Sequence, residues 1–71
     1  RPITTSLELG ELVRTVRKDV GLTQGDLAGS AGVGQRFVVD LEHGKPTCEI
    51  GKVLQVLQML GIGVVARPPV T

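Results

Sequence analysis

The sequence predicts a small all-α domain of about four short helices followed by a single β-strand. Three observations lead there. Apolar residues recur at three- and four-residue steps along most of the chain, the period of a helix with one buried face. A glycine follows each such stretch, at Gly21, Gly32, Gly44 and Gly61, where a helix commonly ends in a left-handed turn. The period changes once, at Ile62-Gly63-Val64-Val65-Ala66-Arg67, a short β-branched stretch closed by Pro68-Pro69 that reads as a strand.

Residues 1–6 form an arm. Thr5 or Ser6 can cap the first helix, and Glu8 stands early in it, where a negative charge complements the helix dipole. Leu9, Leu12, Val13, Val16 and Val20 make its apolar stripe. Thr23 opens the second helix, and Thr23-Gln24-Gly25-Asp26 has the form of a capping box with Asp in place of Glu. Leu27, Ala28 and Ala31 supply the buried face. Gly25 and Gly29 lie inside this helix and each cost up to about 1 kcal/mol relative to alanine. After a tight turn at Ala31-Gly32-Val33-Gly34, a third helix runs from about Gln35 to His43, with Val38 and Leu41 inward. Thr47 is expected to cap the fourth helix, whose stripe is Ile50, Val53, Leu54, Leu57 and Leu60. Residues 7–61 are thus the helical domain and 62–71 the strand and tail.

Composition narrows the function. Of 71 residues one is histidine, His43, and one cysteine, Cys48. This excludes an intrachain disulfide and a Cys/His zinc set, and no metal or other cofactor is expected. One histidine, one cysteine and scattered carboxylates make no nucleophile–base–orienter set, so no catalytic residues are assigned and an enzyme is not expected. His43 reads as a partner for a helix C-terminal dipole, and Cys48 as a half-buried thiol on a capped helix. No apolar run approaches the roughly 20 residues of a membrane helix, and no charged-then-apolar signal peptide opens the sequence. A reducing, cytoplasmic setting is expected from the cysteine usage. The net charge is only +1, a weak sign for a nucleic-acid binder, but Arg36 and Lys45 flank the third helix.

Two short helices joined by a tight glycine-containing turn are the signature of a helix-turn-helix. The segment from Leu22 to Lys45 fits it: small Ala28 lets the helices cross closely, Gly32 makes the turn, and Val33, Val38 and Leu41 lock the second helix on the first. In such a unit the N-terminal residues of the second helix meet base edges in the major groove. Here these are Gln35 and Arg36, side chains that pair bidentately with adenine and guanine. Gly34 before them allows close backbone approach. Gln24, with the free N–H groups at its helix start, suits a phosphate, as does Lys45. Thr23, Phe37, Val39 and Asp40 complete the candidate DNA face. For Phe37 the plainer reading is a partly buried ring over the helix start. Asp40 would repel phosphate, yet can accept from a cytosine amine.

The sequence resembles the Cro/cI-repressor-like (XRE) helix-turn-helix family. The residues that carry the resemblance are Leu22-Thr23-Gln24, Leu27-Ala28, Ala31-Gly32-Val33 and Leu41-Glu42 followed by Gly44-Lys45. Through Lys45-Pro46-Thr47, the fourth helix and the tail, the pattern is similar to the HipB-type antitoxins. The resemblance covers roughly Leu9 to Arg67. It implies a lambda-repressor-like fold, DNA contacts at Gln24 and Gln35, and an ion pair between Arg17 and Glu42 joining the first and third helices. It also implies a repressor that binds double-stranded operator DNA and a HipA-type toxin kinase. Gly34 departs from the family, where Ser or Thr often caps this helix.

A lone strand leaves its backbone groups unpaired. The expected remedy is a homodimer in which Ile62, Val64, Val65 and Ala66 pair across a two-fold axis, over Leu57 and Leu60 of the fourth helix. Two other readings stay open: a stand-alone regulator of the same family, and a helix-turn-helix scaffold that binds only protein.

Overall fold

The computed structural model describes residues 2–70. Four helices follow one another: α1 Ser6–Asp19, α2 Gln24–Ala31, α3 Gln35–Glu42 and α4 Ile50–Met59. α3 packs against both α1 and α2, and α4 packs on α2.

The helix starts follow local chemistry. Thr5 caps α1 and forms a reciprocal capping box with Glu8. Thr23 does the same for α2 with Asp26, so the Asp variant of the box closes as the sequence suggested. Gly34 caps α3 without any side-chain bond, in line with the missing Ser or Thr. α4 differs from expectation: its N-cap is Glu49, not Thr47. Thr47 falls instead in the exposed turn after Pro46, because a proline so close upstream holds the chain in a turn before the helix can begin. Gly32 ends α2 at φ 73°, a left-handed conformation that side chains with a Cβ resist.

The core is aliphatic: Val13, Leu27, Val38 and Val56 are fully buried, surrounded by Ala28, Ala31, Leu41, Val53, Leu57 and Leu60. The α4 stripe is therefore Val53, Val56, Leu57 and Leu60. Ile50 and Leu54, expected inward, are 68% and 46% exposed. The register is fixed by Val56, which lies with Val53 and Leu60 on the face that meets α2, and this rotation turns Ile50 and Leu54 outward. Val20, expected at the end of the α1 stripe, is the helix C-cap and is exposed.

The expected C-terminal strand is not there. Among the described residues there is no β-strand, and the chain after Gly61 has no regular structure. Ile62 turns back instead: its N–H donates to the Leu57 carbonyl at 2.9 Å, closing the end of α4, and its side chain packs on the core. Val64 and Val65 are 62% and 79% exposed, and Ala66 is exposed as well. The physical reason is that β-branching favours extended backbone but cannot supply a ladder, and no second strand lies within the described chain to complete one. Leu57 and Leu60, assigned to a dimer contact under that strand, lie in the core of the single chain, at 4% and 9% exposure.

One contact that sequence reading passed over sets the spacing of α1 and α3. Gly10 is buried inside α1. A Cβ there would run into the backbone carbonyl of Leu41 and lie 2.8 Å from that of Glu42. The two helices meet backbone to backbone, and alanine at position 10 must push them apart. Gly10→Ala is expected to destabilise the domain by about 1–3 kcal/mol, the usual cost of overpacking. Thermal unfolding would register this as a fall of at least about 4 °C for a domain of this size. An unchanged midpoint would contradict the close approach.

Candidate nucleic-acid interface

The residues from which a DNA face could be built come from two helix starts held side by side. The turn at Gly32-Val33-Gly34 sets α3 against α2, with Val33 donating its N–H to the Ala28 carbonyl at 3.0 Å. This brings the first residue of α3 over the first turn of α2: the Gln35 amide oxygen lies 3.5 Å from where a Cβ on Gly25 would sit. Gln24 and Gln35 therefore border one surface, although they open two different helices. Gly34, Gln35 and Arg36 are exposed there. The Arg36 side chain is 84% accessible.

The other candidates are placed as follows. The Thr23 hydroxyl accepts from the Asp26 N–H at 3.0 Å and the Asp26 carboxylate from the Thr23 N–H at 3.1 Å. These bonds hold the Asp26 carboxyl below its ordinary range, and Thr23 thus shapes the helix start. Asp40 is half-buried and is bonded to two cations, Arg36 Nε at 3.2 Å and Lys45 Nζ at 3.5 Å. It masks part of the charge of both. Phe37 is half-buried against the core, with the Lys52 ammonium 6.0 Å from its ring centre, which agrees with the plainer reading of that ring. Val39 is half-buried too. His43 is exposed at the α3 C-cap. Cys48 is half-buried, and burial pushes its thiol up, away from the thiolate.

Arg17 and Glu42 make the buried ion pair between α1 and α3. Arg17 Nε donates to Glu42 Oε2 at 2.5 Å and Nη2 to Oε1 at 3.0 Å, while Nη1 donates to the Leu22 carbonyl at 2.8 Å. Glu42 also accepts from the Gln24 amide at 3.1 Å, a link that the sequence reading missed because it joins two helices across 18 positions of sequence. Arg14 and His43 stand at the rim, lining a cleft with Arg17, Gln24 and Glu42. Burial raises the Glu42 carboxyl, but the bonds from Arg17 and Gln24 and the Arg17 charge outweigh it and hold the group below its ordinary value of 4.5. The Arg17 guanidinium is pushed up by its bond to Glu42. No group of His, Cys, Asp and Glu suited to a metal ion occurs among the described residues, and no described helix is long and apolar enough to cross a membrane.

Fold and site together define a helix-turn-helix domain: two short crossed helices, a left-handed glycine turn, and polar side chains exposed at the start of the second helix. The helix-turn-helix domain family matches residues 8–69, and the chain belongs to it. It is 63% identical over 62 residues to the uncharacterized HTH-type transcriptional regulator y4mF of Sinorhizobium fredii, an alignment that spans 87% of this chain and 82% of that protein. Among solved structures, a HipB–O4 20mer complex and a HipA–HipB–O2–O3 complex each contain a chain that superposes with a TM-score of 0.86. These overlaps cover 96% of this chain and 96% of each matched chain at 22% identity, which establishes the shared fold.

The ion pair has a pH signature. Because the folded-state carboxyl of Glu42 is depressed, its contribution to stability is complete above about pH 4.5, its ordinary value, and is lost as pH falls through the lower folded-state value. Glu8 and Asp26 are also lowered and act on the same acid limb. Denaturant unfolding is expected to give stability that is level toward neutrality and declines in acid, and Glu42→Gln should flatten that decline. At neutral pH, Glu42→Ala is expected to cost about 3–5 kcal/mol, the usual result of leaving one buried charge alone. A Glu42→Ala protein with wild-type stability would show that the pair carries no structural weight.

Proposed function

We propose that this chain is a sequence-specific DNA-binding repressor, acting as a homodimer on operator DNA and serving as the HipB-type antitoxin of a toxin–antitoxin operon. The observation that carries the DNA reading is the exposed pair Gln35–Arg36 at the start of α3, bordered by the start of α2. A helix presented this way places an adenine-pairing and a guanine-pairing side chain at base edges. The neighbouring N–H groups of α2 face the phosphates. Phosphate contacts fix the register and the α3 side chains read the sequence.

The antitoxin reading is supported by the likeness to a chain of the HipA–HipB–O2–O3 complex. On this reading the partner protein is a HipA-type kinase that the chain neutralises in the cytoplasm. The second reading, a stand-alone regulator, is favoured by the relation to y4mF, which carries only the designation of a transcriptional regulator. Co-purification of a HipA-type kinase with the tagged chain from its own host separates the two.

A duplex selected by the wild-type protein from a randomised pool tests the DNA face. Its footprint should cover two half-sites about 34 Å apart, one helical turn. Replacing Gln35 and Arg36 together by alanine should weaken binding to that duplex by at least about thirtyfold, from roughly 1 kcal/mol or more for each lost pair, with an unchanged circular dichroism spectrum. A footprint that survives in the double variant would remove α3 as the reading helix.

Asp40 gives an independent check in the opposite direction. Its carboxylate neutralises Arg36 and Lys45 on the same face. Asp40→Asn should strengthen binding to selected and scrambled duplexes alike and steepen the log–log salt dependence by about one unit. Equal affinities and slopes in wild type and variant would show that Asp40 does not compete with phosphate.

A further inference from the structure

The bond from Gln24 to Glu42 is not needed to hold α1 on α3, since Arg17 alone reaches both carboxylate oxygens. What it does is fix a side chain on the proposed DNA face. An ionised carboxylate only accepts hydrogen bonds. Gln24 must therefore turn its NH₂ toward Glu42 Oε1, 3.1 Å away, and its carbonyl oxygen is directed elsewhere. Glu42 itself cannot swing to follow Gln24. It is 7% exposed and clamped by Arg17, which the Leu22 carbonyl holds in turn at 2.8 Å. The chain of bonds thus runs from the α1–α2 corner through α3 and back to the first residue of α2.

We propose that Glu42 is a positioning residue for DNA contact: through its bond to Gln24 it sets that side chain, before DNA arrives, in the orientation that meets a phosphate. One amide N–H of Gln24 stays on the protein and the second is left to donate. At the same helix end the capping box uses the Asp26 N–H and leaves those of Gln24 and Gly25 for an incoming oxygen. A free glutamine would lose rotamer freedom on binding. Here that freedom is already lost in the unbound protein, so Glu42 contributes to affinity without touching DNA.

The inference rests on the DNA-binding reading above, and a double-mutant cycle separates the two. Glu42→Gln, Gln24→Ala and the double variant are titrated with the duplex selected by the wild-type chain. Position 42 then holds a near-isosteric amide, which can present a donor to Gln24 and turn its amide over. Gln24→Ala and Glu42→Gln should each weaken binding by about tenfold, the scale of one hydrogen bond to a charged group. The double variant should bind no more weakly than Gln24→Ala alone, while the melting shift caused by Glu42→Gln stays the same in both backgrounds. A merely structural Glu42 would instead weaken binding by the same factor with and without Gln24, and that result overturns the proposal. Nitrogen-15 spectra of the free wild-type protein give a readout that survives if a variant fails to fold. The Gln24 side-chain amide protons should be shifted and slow to exchange. A signal averaged like that of a solvated glutamine overturns the proposal. A fixed amide combined with unimpaired binding by Gln24→Ala also overturns it, and places the error in the DNA contact of Gln24 rather than in its orientation.

Discussion

Arg17 and Glu42 are the two charged side chains buried among the described residues of an otherwise aliphatic core, and the architecture is arranged around them. Two charges leave water at a cost of several kcal/mol each, recovered only when geometry and hydrogen bonding are nearly complete. Here they are. Both carboxylate oxygens accept from Arg17, its Nη1 donates to the Leu22 carbonyl, and among the described residues no buried side-chain nitrogen or oxygen is left without a partner. A pair with such demands tolerates one placement of α1 relative to α3. Apolar contacts alone would permit several, since Leu and Val faces slide with little penalty.

The same placement is enforced by shape. Gly10 admits the α3 carbonyls against α1, and Gly44, at φ 82°, admits the backbone of Leu7. The Ser6 hydroxyl then donates to the Gly44 carbonyl at 2.8 Å. The N-terminal end of α1 is thereby tied to the loop after α3, while the ion pair ties the C-terminal half of α1 to the end of α3. A helix held at both ends keeps its tilt, and the tilt of α3 decides where Gln35 and Arg36 point. Small domains have thin cores. This one gains definition from polar and backbone contacts at few, specific points.

The helices were legible because each is written locally. The capping box at Thr23, glycine stops and the 3.6-residue period need no tertiary information. The first helix, by contrast, leaves Thr5 and Ser6 as alternative caps, and α4, which has no side-chain cap, starts from Glu49 in place of the expected Thr47. The helix-turn-helix was legible for the same reason, with the turn and the small residue at Ala28 at fixed separations. What sequence could not supply was anything set by register or by partners. Ile50 and Leu54 are as hydrophobic as Val53 and Val56, and only packing against α2 decides which pair goes in. The terminal stretch has β-forming residues but no complement in the described chain, and propensity without a ladder gives extended coil. Gly10 reads as a blemish inside a helix until α3 is laid across it. The bond from Gln24 to Glu42 joins residues whose separation in sequence carries no signal at all.

Charge on the proposed DNA face follows a logic that the net value of +1 conceals. Nonspecific affinity grows with the number of cations free to displace counterions from DNA. Behind this face Arg17 is buried against Glu42, Arg36 and Lys45 share Asp40, and Arg14 stands exposed at the rim of the cleft beside Gln24. Part of the charge of Arg36 and Lys45 is thus taken up by Asp40 before any nucleic acid is met. Arg36 can exchange its carboxylate for a guanine edge with little loss, because an exposed ion pair is worth less than about 1 kcal/mol and a bidentate base pair contributes about 1–3 kcal/mol. Exchange for a lone phosphate oxygen gains less, since it replaces one oxygen acceptor by another. If this face binds DNA as proposed, Asp40 weakens specific and nonspecific binding by a similar amount, because it neutralises the same two cations in both. On the proposed reading, a weakly charged surface of this kind lowers total affinity without changing the ratio of specific to nonspecific binding, and it makes the orientation of its polar side chains matter more than their number.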